Sequence, residues 1–488
     1  MQHSVERTEL APGFTISRVL TGLWQIADME RDGHELDIKA AANAMNSYVK
    51  AGFTTFDMAD HYGSAEEISG LFLKEFGLVA QLLTKWVPKP GPVTRQDVRT
   101  AVQRALDRML ADRLDVLQFH AWNYADPVWL DCLYWLQELK EEGLFRFLGL
   151  TNFDTAHLRI VVNSGIKVVS NQVCFSLLDQ RARVGMTQLC REHNIKLLAF
   201  GTIAGGFLTE KWLEKPEPTQ EQLTTWSQNK YKRFIDAAGG WPVFQNLLRV
   251  IQAVAEKHNM SMANVACRFI LDNPAVGGII IGARLGESEH IRDNLNLFRF
   301  SLDEKDHEDI NDALIKLKPI PGDCGDEYRK PPFLTASGDL SHHLKKIPAP
   351  FETTGDSSDG IRVLSHTPWE KIAGYCRAIR WGDLVLISGT TATHGEKLVG
   401  GRDPAAQLHF IIDKIEGVIQ SIGGKLSDVV RTRIYIQNMS DWEILARVHG
   451  ERFGAIKPVN TMIQAGIIGD EYLVEMEVDA IVKESGKV

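Results

Sequence analysis

Over roughly the first 280 positions, apolar residues fall in short continuous runs that alternate with stretches of helical period. The runs are VLTGLWQ from Val19, GFTTFDMA from Gly52, QLLTKW from Gln81 and LDVLQFH from Leu114, then RFLGLTNF from Arg146, VVSNQVCF from Val168, IKLLAFG from Ile195 and GGIIIGA from Gly277. Amphipathic patterns such as DIKAAANAMNSYVKAG and TRQDVRTAVQRALDRML lie between them. Unbroken apolar strands alternating with helices predict a parallel sheet covered on both faces. Eight such units match the size of a closed (β/α)8 TIM barrel. An open doubly wound sheet fits less well. No GxGxxG follows an early strand, and GTIAGG at Gly201 has the wrong spacing. The long interval from Gly201 to Gly277 predicts a helix plus an extra loop carrying EPTQEQLTTWSQNKYKR.

Near Pro319 both periods stop, and a stretch rich in Pro, Gly, Ser and charge reads as a linker over 321–365. Order then returns with a strand LVLISGTTA, a helix PAAQLHFIIDKIEGVIQSIGG and a strand VVRTRIYIQ. A short helix DWEILARVHGERFG and two hairpin-like closing strands, NTMIQAGII and EYLVEMEVDAIV, complete a small α+β domain over 366–488. The expected organisation is therefore an α/β barrel over 1–320, a linker, and this second domain. A chain of 488 residues is too long for one ordinary core, which agrees.

A net charge of −9 argues against nucleic acid or an anionic membrane as the main partner. The six cysteines are scattered singly, without the paired spacing of a zinc site, so no metal is expected. The first residues, MQHSVERTELAPG, lack the pattern of a signal peptide, and no apolar run approaches a membrane span. A cytoplasmic location is the expectation.

Asp57 and Tyr62 lie just past the second strand, Lys85 ends the third and His120 ends the fourth. In a barrel such strand ends converge on the C-terminal face, where active sites form. The set suits hydride reduction of a carbonyl, which creates an alkoxide that needs a nearby proton donor. Tyr62 would be the donor, with Lys85 lowering the phenol's pKa. Asp57 would hold Lys85 by a charge-assisted bond, and His120 would orient the carbonyl oxygen. Trp24, Trp86, Trp122 and Tyr124 follow strand ends and would line an aromatic pocket.

Over roughly 14–315 the sequence resembles the aldo-keto reductase superfamily, through Asp57-Met58-Ala59-Asp60-His61-Tyr62, Lys85 and His120. The resemblance implies Tyr62 as general acid/base, Lys85 and Asp57 tuning it, and His120 positioning substrate. It also implies that Thr151, Asn152 and Gln172 hold the nicotinamide carboxamide, that Phe175 stacks on the ring, and that Gly201 to Gly206 carry the pyrophosphate. Gly201-Thr202 replaces the family's commoner Ser-Pro. Arg284 is placed to pair with a 2′-phosphate, and His290 and Asn294 fall at adenosine positions. The implied cofactor is NADP(H), with NAD(H) the alternative, and the substrate a small carbonyl or alcohol.

From about 366 to 488 the chain resembles the YjgF/YER057c/UK114 (Rid) family, which has a chorismate-mutase-like fold and forms trimers with clefts between subunits. The matching stretches are YCRAIRWGDLVLISGTTA, LSDVVRTRIYIQNMSDW and EYLVEMEVDAIV. Tyr375, Ser388 and Glu475 fall on cleft positions. Where deaminases of that family carry an arginine, this chain has Asn460, in Pro458-Val459-Asn460-Thr461. The expected role is therefore assembly, possible as a trimer, or ligand binding. Two other readings also fit the sequence: a nicotinamide-sensing regulator with weak turnover, and a reductase that also hydrolyses imines.

Overall fold

The computed structural model describes residues 4–26, 36–77, 79–286, 289–330 and 338–483. Eight parallel strands close into a barrel. They are β1 (Val19–Gly22), β2 (Thr55–Asp57), β3 (Gln81–Trp86), β4 (Leu114–Phe119), β5 (Phe145–Thr151), β6 (Ser170–Cys174), β7 (Lys196–Phe200) and β8 (Val276–Gly282). β8 pairs with β1 to complete the ring. A hairpin, Arg7–Ala11 with Phe14–Ser17, plugs the N-terminal end. Its Leu10, Phe14 and Ile16 pack on Leu20, Leu83, Val116 and Leu198 from inside the barrel. That end is thereby sealed with apolar side chains, and polar groups are left to the opposite mouth.

Helices cover the outside, several of them begun by a side-chain cap. Thr94, for example, caps Arg95–Arg108 while Asp97 returns a bond to the cap. The interval after β7 differs from its reading as one helix plus a loop that carries the whole polar run. The second half of the polar run is a helix, Trp226–Ala237, capped by Thr225. Trp226, Lys230 and Phe234 recur every four residues on it, a helical spacing hidden by the charged residues around them.

The second domain is a seven-stranded sheet with strands β9 (Glu352–Thr354), β10 (Ile361–Leu364), β11 (Ala378–Trp381), β12 (Leu384–Thr390), β13 (Val429–Ile436), β14 (Val459–Gln464) and β15 (Val474–Ile481). Its order is β9-β10-β11-β12-β15-β13-β14. The two closing strands do not form a hairpin. β15 inserts between β12 and β13, while β14 runs parallel to β13 on the far side. The helix Trp442–Phe453 links β13 to β14, as a parallel pair requires a crossover.

The stretch 321–365 is not a featureless linker, although 331–337 lie outside the described residues. β9 and β10 extend the second sheet, and a helical turn, Asp326–Arg329, is buried against the barrel mouth. Ion pairs rather than apolar periodicity hold that turn, so hydrophobic patterning could not reveal it.

Helix Pro404–Ser421 is buried nearly all round, because it packs on its own sheet and on the barrel helix Thr155–Asn163. His157 lies at this junction, its ring nitrogens 2.6 Å from Asp154 Oδ1 and 2.9 Å from Asp413 Oδ2. Arg452 donates to the same Asp413 at 2.7 Å, and Tyr124 stacks on the imidazole. Arg159 pairs with Asp403 nearby.

Candidate active site

The polar mouth of the barrel opens into a cavity of about 1280 Å³. Asp57, Tyr62, Lys85 and His120 all line it, delivered there by the ends of β2, β3 and β4. Lys85 Nζ donates to Asp57 Oδ2 at 2.6 Å and to the Met58 carbonyl at 2.8 Å, and both charged side chains are buried. The other Asp57 oxygen accepts from Gln118 at 3.1 Å and Gln172 at 2.7 Å. The carboxylate is thus saturated with donors and fixed in place.

Tyr62 sits beside this pair, with Lys85 Nζ 5.1 Å from its ring centroid. The expected lowering of the phenol's pKa is not what the site does. Burial and then the Asp57 carboxylate push it well above the usual value, because Lys85 spends its charge on Asp57. Tyr62 therefore carries its proton at neutral pH. Burial also lowers the Lys85 pKa, against the pull of Asp57.

His120 is buried, and its pKa falls to about 3, chiefly through burial and secondarily through Arg329. The ring is neutral. Nδ1 lies 3.4 Å from the Thr151 carbonyl, while Nε2 is buried without a hydrogen-bond partner, in a residue that lines the cavity. A carbonyl only accepts, so this contact favours a proton on Nδ1 and leaves Nε2 to accept from an alcohol. At 3.4 Å the contact is weak, and the other tautomer, which donates to a carbonyl substrate, is within easy reach.

Of the expected cofactor residues, Thr151, Asn152, Gln172, Gly201, Gly206, Arg284, His290 and Asn294 line the same cavity. Asn152 has a left-handed backbone and a buried Oδ1 without a partner, ready for an amide donor. Gln172 commits its amide nitrogen to Asp57 and Gln118, which leaves its carbonyl for a ligand. Phe175 is a correction. It is buried in the barrel wall and does not line the cavity, whereas Phe200 and Tyr231 do. Strand alternation explains this: Phe175 follows β6 pointing into packing, whereas Phe200 ends β7 at the mouth.

Gly201 has φ +71°, and a Cβ there would meet the Tyr231 hydroxyl at only 2.1 Å. The phenol of Tyr231, on a neighbouring helix, fills the space that a side chain at 201 would need. Gly206 has φ +89° and open space on its Cβ side, which lets a bulky ligand approach the backbone. Arg284 is exposed at the rim, without an ion-pair partner among the described residues. Together the orphaned Asn152 oxygen, the open glycine turn and the rim cation fit a nicotinamide dinucleotide.

Trp24, Trp86 and Trp122 line the cavity as expected. Tyr124 does not, being buried against His157 at the domain junction. Lys230, Tyr231, Tyr328 and His343 line it without having been singled out from the sequence. The first two lie on the unrecognised helix, the others in the apparent linker.

In the second domain, Tyr375, Ser388 and Glu475 lie around Arg377, a residue the sequence did not mark. Arg377 donates to the Tyr375 hydroxyl at 3.0 Å and to the Gly389 carbonyl at 2.7 Å. Glu475 packs against Gly389, and Ser388 Oγ donates to the Cys376 carbonyl. Asn460 is not part of this group. It lies on β14, two strands beyond β15, and donates to Thr432 Oγ1 at 2.8 Å.

Family comparison agrees with this geometry. Residues 18–315 match the model described as the aldo/keto reductase family. The chain belongs to that family. It is accordingly an NAD(P)H-dependent oxidoreductase. Residues 366–482 match the model described as Endoribonuclease L-PSP, the Rid/YjgF group. An uncharacterized protein of Streptomyces coelicolor is 36% identical over 120 residues, 24% of this chain and 90% of its own. The NADH-specific methylglyoxal reductase of Escherichia coli is 23% identical over 321 residues, 60% of this chain and 93% of its own. Among solved structures, an aldo-keto reductase from Bacillus halodurans in its holo form matches with a TM-score of 0.50 at 18% identity, over 63% of this chain and 96% of that one. At that identity the likeness concerns the fold alone. Among the described residues no helix is long and apolar enough to cross a membrane, and no cluster of metal-ligating side chains occurs.

Proposed function

We propose that this chain reversibly reduces a small carbonyl compound with NADP(H), and that its second domain serves assembly. The reading rests on one observation: a protonated Tyr62, the 2.6 Å Lys85–Asp57 pair and a His120 whose Nε2 has no partner line a single cavity. Bound nicotinamide would supply the hydride. Tyr62 would give its proton to the developing alkoxide, and the resulting phenolate would face the Lys85 ammonium. His120 Nε2 would hold the oxygen in line. Tyr62 and His120 would thus act on the substrate oxygen, Lys85 and Asp57 would act through Tyr62, and Thr151, Asn152 and Gln172 would orient the carboxamide.

The preference for NADP(H) over NAD(H) rests on Arg284, whose guanidinium can grip a 2′-phosphate through two bonds. The NADH-specific relative makes the choice worth direct measurement. For the second domain, the support is a sheet face left open opposite its helix. Leu384, Leu386 and Ile481 are exposed there, while their alternating neighbours Val385, Ile387 and Ala480 are buried. An apolar face of this kind is a candidate interface between copies. Among the described residues, the Arg377 guanidinium is already engaged by protein groups and Asn460 lies elsewhere, which speaks against imine hydrolysis. The reductase reading is tested by steady-state NADPH and NADH oxidation over a panel of aldehydes. Tyr62→Phe should lower kcat by about 100-fold or more while nucleotide binding persists. Tight nucleotide binding with no Tyr62-dependent turnover on any aldehyde would refute it in favour of a sensor.

A further inference from the structure

We infer that Tyr328, anchored by Lys230, is a substrate-positioning residue that selects carbonyl compounds bearing a second, uncharged oxygen. The inference rests on the reductase reading and deepens it. Tyr328 belongs to the segment between the two domains, yet it lines the same cavity as Tyr62, and its ring lies 6.2 Å from that of His120.

The segment is locked in place. Glu327 is fully buried, 3.0 Å from Arg181 and 3.7 Å from Lys230. On the other side of Tyr328, Arg329 donates to the Cys324 carbonyl at 2.9 Å and covers the Tyr124 ring. Gly325 sits so close to Asn152 that a Cβ would meet the Asn152 carbonyl at 2.2 Å. The turn therefore rests directly on the strand end that faces the nicotinamide pocket. With 327 and 329 held beneath, 328 is the residue the turn presents to the cavity.

Proton bookkeeping then gives Tyr328 a direction. Lys230 Nζ donates to the Tyr328 hydroxyl oxygen at 2.8 Å. An ammonium only donates, so the phenol oxygen is the acceptor and its own hydrogen is left for another partner. Among the described residues it has none. The lysine charge also polarises the phenol and strengthens it as a donor. A ligand oxygen is the acceptor this arrangement lacks.

Charge fixes the kind of oxygen. Lys230 and Arg181 are balanced by Glu327 and Asp179, which are 3.7, 3.0 and 2.7 Å away in the pairs they form. The cluster carries no surplus positive charge to attract a carboxylate or phosphate. A hydroxyl or keto oxygen is what it fits.

The test compares kcat/KM for 4-hydroxybutanal and for butanal, measured in parallel with wild type, Tyr328→Phe and Lys230→Met. Wild type should favour 4-hydroxybutanal. Tyr328→Phe should lower the ratio of the two values about tenfold through KM, the effect of one hydrogen bond. Lys230→Met should lower it in the same direction, with the phenol retained but no longer anchored. Simple loss of folding would depress both aldehydes together and leave the ratio unmoved. A ratio unchanged within about twofold in Tyr328→Phe overturns the inference while leaving the reductase reading intact. No Tyr62-dependent turnover by wild type of any aldehyde in the panel, these two included, overturns both.

Discussion

Replacing His157 with leucine should loosen the junction between the two domains by about 3 kcal/mol. Both flanking groups are carboxylates, which only accept, so both ring nitrogens must donate and the imidazole is held as the cation. Burial alone would lower its pKa, but Asp154 and Asp413 prevail and raise it. Leucine has a similar volume and no donor, and it strands two buried carboxylates. Neither is left wholly bare. Asp413 keeps Arg452 at 2.7 Å, while Asp154 keeps the backbone N–H of residue 157 at 2.8 Å and Arg329 at 3.9 Å. This places the cost at the low end of the range for breaking a buried pair. Three kcal/mol is roughly a hundredfold in equilibrium. Hydrogen exchange at pH 6 should show amides of Pro404–Ser421 exchanging about that much faster in the variant. The sign with pH is fixed. A raised histidine pKa gives stability that is complete below about 6.5 and lost as pH rises through the folded value. Asp154 is depressed, chiefly by His157 working against the effect of burial, so its share is lost as pH falls below about 3.9. The gap between wild type and variant should therefore be widest from about pH 4 to 6.5. A difference under about threefold at pH 6, or one that grows in alkali, would refute the reasoning.

Three further outcomes are expected. Arg284→Ala should weaken NADPH binding by tenfold or more, the loss of a charged contact, and leave NADH binding unaltered in a titration of nucleotide fluorescence; equal weakening of both would remove the 2′-phosphate contact. Gly201→Ala must accommodate both a positive φ and the Tyr231 hydroxyl, so it should cost about 1–3 kcal/mol by thermal melting and reduce nucleotide affinity. Mass measurement on the full chain should give a trimer that dissociates when Leu386, on the open sheet face, is changed to Lys; a monomeric wild type would contradict the assembly role.

The barrel and the gathering of Asp57, Tyr62, Lys85 and His120 were legible because β3 and β4 are mainly apolar runs that carry Lys85 near, and His120 just past, their C-terminal ends. Lys85 and His120 could hardly lie anywhere but at the mouth. Phe175 misled because aromatic identity says nothing of which way a residue leaves a strand end. Lys230 was hidden in a run where charged neighbours masked its four-residue spacing with Trp226 and Phe234. Tyr328 was less accessible still. Its turn is fixed by Glu327 meeting Arg181, a partner 146 residues away, and no local pattern encodes such a pair. Arg377 is another buried cation whose role comes from tertiary partners.

The turn Asp326–Arg329 also bears on how the two halves can be exchanged with those of other proteins. A cut at residue 320 looks clean by composition, but it would strip Arg181 and Lys230 of Glu327 and expose the floor beneath Asn152. The barrel's working unit therefore extends past its last helix into what resembles a tether. A chimera that grafts a new partner onto this barrel should retain the chain through Lys330, and one that transplants the second domain should begin before β9. The seam between the two halves thus runs along the wall of the cavity itself.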